Sequence, residues 1–251
     1  MNEAGPAGAD RAAVDREARR LALRFRLTMA LRASSVFVAG LATLAVLSSA
    51  TGWNDVLSQG MFLVLAAAGA QGAGWLIGGL YAPLWTGLFA PLPPEGQTPS
   101  PTRGASWAGA VTGAALASLL AAVVLPRLGG PPAGTVLLSF ALATHFAYLP
   151  AKLACLVQGC CKAIGGPIRR FPGNLPGLEI ALTLGVLAMS LWLAAAHPSL
   201  AAPVAMGGHL AIRALAADQR GRGPGVGWPL SDPGFEVFAL SAVALATMLI
   251  G

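Results

Sequence analysis

Between Ala33 and Trp53 the chain carries no Asp, Glu, Lys or Arg, and such uncharged stretches recur along its length. A helix needs roughly 20 consecutive apolar residues to cross a bilayer core. Seven largely apolar stretches meet that length or approach it: about 33–53, 57–80, 104–126, 134–156, 177–196, 199–217 and 234–251. The second extends toward Ala90 if the helix continues beyond Pro83. The fourth contains Pro150 and Lys152, which predicts a kinked or broken end. Between the second and third lies PLPPEGQTPSP, Pro91 to Pro101, whose prolines lack the donors a helix needs. Further loops are Gly159–Pro176 and Asp218–Pro233. The expected fold is an all-α integral membrane protein, with about seven transmembrane helices in one bundle over 33–251 and a basic segment over 1–32.

Composition narrows the function. Only 10% of the 251 residues are charged, against about 25% in a soluble domain. That deficit excludes an ordinary soluble enzyme, a disordered chain and a nucleic-acid reader with a basic polar surface. Three cysteines exclude a disulfide scaffold.

The net charge of +6 is unevenly placed. Arg11, Arg16, Arg19, Arg20, Arg24, Arg26 and Arg32 crowd the first 32 residues, with Glu3, Asp10, Asp15 and Glu17 among them. This start is too long and polar for a cleaved signal peptide. Residues 11–32 form either a basic amphipathic helix lying on anionic lipid or a solvated cytoplasmic tail. With seven spans, Arg103, Lys162, Arg169, Arg170, Arg220 and Arg222 fall on the side of this tail and Arg127 falls opposite. The excess of basic loop residues on that side predicts an N-terminus inside the cell.

Charges inside apolar segments are costly and usually face the bundle interior. Lys152 ends the fourth span, Glu179 starts the fifth, and Arg213 lies near the end of the sixth, with Asp218 just beyond. His145 and His209 lie within the fourth and sixth. Short connections let these helix ends share one membrane face. Lys and Arg there would suit an anionic phospholipid headgroup, and a carboxylate or imidazole would handle a proton. The alternative is that each long side chain snorkels to the interface alone. Arg220 follows Arg213 on nearly the same helical face, which favours a shared site for that pair.

The remaining motifs are less specific. Gly74-x3-Gly78 and Gly109-x3-Gly113 predict close helix packing. The glycine-rich run 69–79 lacks the Gly-Lys-Ser/Thr ending of a phosphate loop. The run LACLVQGCC, residues 153–161, has no Cys-x2-Cys pair and no His at ligand spacing, so no metal site is expected. Its cysteines are either buried and inert or include a nucleophilic thiol, for which His145 is the nearby base in sequence. No cofactor is expected.

Residues 134–220 resemble the prolipoprotein diacylglyceryl transferases, seven-span bacterial enzymes that move a diacylglyceryl group from phosphatidylglycerol to a lipoprotein cysteine. AKLACLVQGCCKAIGGP, residues 151–167, is similar to the signature Arg-hydrophobic-Gly-Asn-Phe-x-Asn-Gly-Glu. It is closer still to relatives that read Gly-Cys-Phe-Leu-x-Gly-Cys-Cys. LPGLEIALTL, residues 175–184, is similar to a Gln-Leu-Tyr-Glu helix opening. HLAIRALAADQR, residues 209–220, is similar to Tyr-Gly-x2-Arg-x3-Glu-x2-Arg. A weaker likeness joins SWAGAVTGAAL, residues 106–116, to the His-Gly-Gly-x2-Gly run of the third span.

By this resemblance Arg213 stands at the essential arginine of the sixth span, Glu179 at the glutamate of the fifth and Gly159 at the signature glycine. Lys152 replaces the signature arginine, keeping charge but losing the bidentate fork. Cys155 and Cys160 replace asparagine and glutamate, Ala217 replaces a glutamate, His209 a tyrosine and Trp107 a histidine. The headgroup-binding charges survive better than the acid–base groups. The resemblance implies catalytic roles for Arg213, His209 and Glu179, and the polar cluster within the spans adds His145 as a candidate base. The resemblance also implies substrate contacts from Lys152, Cys155, Gly159, Cys160, Arg220 and Trp107. The implied partners are phosphatidylglycerol and a lipoprotein precursor, in the bacterial cytoplasmic (inner) membrane, with the N-terminus outside. The alternatives are a non-catalytic phospholipid- or partner-binding protein of the same fold and a small transporter. The transporter is disfavoured because no internal repeat is visible.

Overall fold

A computed structural model describes residues 6–51, 59–60, 62, 107–159, 167–171, 174–219 and, nearer the C-terminus, 241–243, 245–246 and 249. The described residues are almost entirely helical. Five helices carry the fold: α1 (Pro6–Thr51), α2 (Trp107–Val124), α3 (Ala133–Gln158), α4 (Asn174–Ala196) and α5 (Pro198–Gln219). Short 3-10 turns cover Leu125–Leu128 and Pro167–Arg170. All five helices include a segment long and apolar enough to cross a bilayer. The chain is thus a helical membrane protein. In hydrocarbon every backbone N–H and C=O needs an internal partner, and a helix supplies one within each segment. The expected second and seventh spans, the loop Pro91–Pro101 and the pair Gly74 and Gly78 lie largely or wholly outside the described residues.

Helix ends follow local chemistry. Pro132 precedes α3 with extended backbone, and Gly159 closes it at φ 72° with its N–H directed to the carbonyls of Cys155 and Leu156. That left-handed cap satisfies carbonyls the helix leaves over, and glycine adopts it without a Cβ clash. Pro150 does not break α3, so the broken end expected there is not found; the helix continues to Gln158. The proline removes one backbone donor, and neighbouring helices tolerate such a gap by packing over it.

α4 and α5 are joined by the single residue His197, and Pro198 starts α5, where a missing N–H costs nothing. They form an antiparallel hairpin. A Cβ on Gly208 would lie 2.5 and 2.7 Å from the Cγ atoms of Val186, so the backbone of α5 approaches α4 closely there. Toward the open end of this hairpin, Leu175 of α4 and Ala216 of α5 are both fully buried and pack together with Ile168.

α1 packs along α3 in the opposite direction. Arg32 donates to Gln158 at the end of α3, over 3.2 Å. Leu47 shares a core with Val136 and Leu137 near the start of α3. One face of α1 is buried at Thr28, Ser35, Thr43 and Leu47. N-terminal to Arg32 the helix continues past Gln158 without a break, and the side chains of 13–27 are exposed. From Pro6 onward the basic segment is helical and continuous with the first span. It leaves the bundle at the end where α3 and α5 finish and α4 begins.

Candidate functional site

Three helices meet at that end, and each brings polar groups into it. Along α3, His145, Tyr148 and Lys152 are spaced i, i+3, i+7, which puts them on one face. Along α5, Ala205, His209 and Arg213 are spaced i, i+4, i+8. Glu179 lies more than a turn into α4. His145, Tyr148, Glu179 and His209 are fully or almost fully buried. Arg213 is half-buried.

Glu179 and Lys152 form the centre. Lys152 Nζ is 2.8 Å from Glu179 Oε1, with only 7% and 2% of the two side chains exposed. Tyr148 donates its hydroxyl to the same Oε1 over 2.6 Å. Arg213 Nη1 donates to the Tyr148 hydroxyl over 3.4 Å. The Tyr148 ring also faces both cations, with Lys152 Nζ 4.7 Å and Arg213 Cζ 5.9 Å from its centroid. Both distances are within the range of cation–π attraction. Thr183, one turn on, returns its hydroxyl to the Glu179 carbonyl and ties down the same stretch of α4.

Deeper in the bundle the two imidazoles continue the column. His209 packs edge-on to Tyr148 with centroids 4.9 Å apart, and His145 packs edge-on to His209 at 5.3 Å. His145 Nε2 lies 2.8 Å from the Ala205 carbonyl, so this nitrogen carries the proton and donates. The contact ties α3 to α5. His145 Nδ1 is buried without a hydrogen-bond partner among the described residues.

The structure thus brings together Lys152, Glu179, Arg213, His209 and His145, all named from sequence. It also settles how two of them are held. Lys152 does not snorkel; it points inward onto Glu179. Cys155 is half-buried one turn beyond Lys152, and Gly159 is the α3 cap. Trp107 opens α2, and its side chain lies outside the described residues, as do Cys160 and Arg220. Tyr148 was not singled out from sequence. Its signal was its position three residues after His145 and four before Lys152, but a single aromatic in an apolar helix usually reads as packing.

Two cations, one carboxylate, one phenol and two imidazoles therefore share the end of the bundle. The named charges leave one positive charge in excess, in surroundings where electrostatic interactions are stronger than in water. Among the described residues, no group of three or more His, Cys, Asp or Glu side chains is arranged to hold a metal ion. No protein-family model, no curated protein and no solved structure matches the chain.

Proposed function

We propose that the chain is a membrane-embedded lipid-group transferase of the prolipoprotein diacylglyceryl transferase type, with seven spans, in the bacterial cytoplasmic membrane. The observation that carries this reading is the convergence of Lys152, Glu179, Arg213 and His209, from three helices, at one end of the bundle. An anionic headgroup entering sideways from the bilayer would meet a site with surplus positive charge. Arg213 would grip the phosphodiester, because a planar guanidinium matches two phosphate oxygens at once. In the reaction, an acceptor thiol gives its proton to a base and its sulfur attacks the glyceryl carbon. The carbon–oxygen bond to the phosphate breaks, and Arg213 and Lys152 stabilise the charge left on the departing glycerol phosphate. His209, closer to the charged centre than His145, is the base this reading favours.

A second reading has its own support. Lys152 and Glu179 are engaged with each other at 2.8 Å, which suits a structural tie as well as a catalytic pair. On that reading the chain binds anionic lipid without turnover. The test places purified protein in phosphatidylglycerol liposomes with a peptide bearing a lipoprotein-type cysteine, and mass spectrometry follows the peptide. A diacylglyceryl mass gain that disappears in Arg213→Ala supports the transferase. Retained turnover in Arg213→Ala refutes this site. Lipid binding that depends on Arg213, with no mass gain, favours the non-catalytic binder.

A further inference from the structure

We propose that Tyr148 is the positioning residue that makes this site prefer anionic over zwitterionic headgroups, an inference that rests on reading the site as a phospholipid-binding one. Tyr148 touches Glu179, Arg213 and Lys152, the three named charged groups of the cluster. Its hydroxyl donates to Glu179 at 2.6 Å and accepts from Arg213 at 3.4 Å, so it stands between carboxylate and guanidinium. Its ring is the surface over which Lys152 and Arg213 are both held. Tyr148 is itself fixed, because it is 1% exposed and packed edge-on to His209.

Two consequences follow for a ligand. A half-buried arginine has many rotamers, and a headgroup that must order it loses affinity. Tyr148 orders it beforehand through one nitrogen and the ring face. The same hydroxyl helps hold Glu179 on Lys152, at the oxygen both share. With the carboxylate anchored there, the surplus positive charge is directed to the Arg213 side of the ring. Removing the hydroxyl would loosen both restraints and leave every charge in place. The effect should therefore fall on selectivity and leave the fold intact.

The experiment uses full-length protein in detergent, titrated with phosphatidylglycerol and with phosphatidylcholine and read by native mass spectrometry, with thermal unfolding in parallel. Tyr148→Phe keeps the ring and removes the hydroxyl. It should lower the phosphatidylglycerol to phosphatidylcholine affinity ratio about five- to tenfold, the size expected for the net loss of one ordinary hydrogen bond. Phosphatidylcholine binding should change little, and the protein should stay folded with its unfolding temperature lowered by only a few degrees. Tyr148→Leu should abolish the preference, as Arg213→Ala should. If Tyr148→Phe keeps the wild-type ratio while Arg213→Ala loses it, the proposal is wrong and the lipid-binding reading stands. A uniform loss for both lipids with lowered thermal stability also overturns it, because that marks a purely structural residue. If the wild type shows no preference and Arg213→Ala changes nothing, both fall.

Discussion

Replacing Lys152 by Met removes one half of an ion pair whose other half has almost no access to water. The two groups are 2.8 Å apart, with 7% and 2% of their side-chain surface exposed. At an effective dielectric of about 20 they attract by about 6 kcal/mol, and desolvation of several kcal/mol per ion offsets that gain. The intact pair is therefore near neutral for stability, whereas either half alone is costly. With Lys152 gone, Glu179 keeps its desolvation cost and loses its counter-ion. Lys152→Met should lower stability by about 3–5 kcal/mol. Glu179→Gln keeps the shape and can still accept from Tyr148. In that background Lys152 has already lost this carboxylate, so Lys152→Met should cost less than about 1 kcal/mol or restore stability. Reversible denaturation in mixed micelles of the wild type, both single variants and the double variant gives the coupling directly. A coupling of about 2 kcal/mol or more is expected. Additivity within about 0.5 kcal/mol would refute the reasoning, because it would mean that the two charges are solvated separately.

Three other changes probe the frame that holds the site. Gly208→Ala puts a Cβ 2.5 and 2.7 Å from the stiff Val186 side chain and should cost about 1–3 kcal/mol. Val186→Ala should restore most of that, measured by thermal unfolding in detergent. Gly159→Ala forces a Cβ onto the left-handed cap at φ 72° and should cost about 1 kcal/mol, with Gly159→Asn costing less by the same assay. His145→Phe keeps an aromatic ring between α3 and α5 and loses the donation to the Ala205 carbonyl, for about 1 kcal/mol. His145→Ala also leaves a cavity and should cost about 2–4 kcal/mol in denaturation.

The spans were legible because hydropathy is a local sum. Expected bounds of 104–126, 177–196 and 199–217 compare with helices at 107–124, 174–196 and 198–219. The identity of the polar cluster was legible for a related reason. A charge inside an apolar segment must find a partner in the bundle, so Lys152, Glu179 and Arg213 stood out without any coordinates. What the sequence did not hold was the pairing. Which cation takes the carboxylate depends on how far each helix is rotated and how deep it sits. Those two quantities are decided by packing, such as the close approach of Gly208 to Val186.

The same limit hid Tyr148. Its spacing from His145 and Lys152 fixes its face on α3, but its role exists only because α4 and α5 bring Glu179 and Arg213 to that face. Likewise the arginines of the first 32 residues were visible as a basic segment. Only the antiparallel packing of α1 on α3, tied by Arg32 to Gln158, shows that this segment leaves the bundle at the end that holds the site. The sequence by itself determined that the chain crosses a membrane as helices and which residues are too polar to face lipid, because both follow from transfer energies of single residues. The tertiary structure alone decided which of those residues touch, because contact is a property of helix orientation and not of composition.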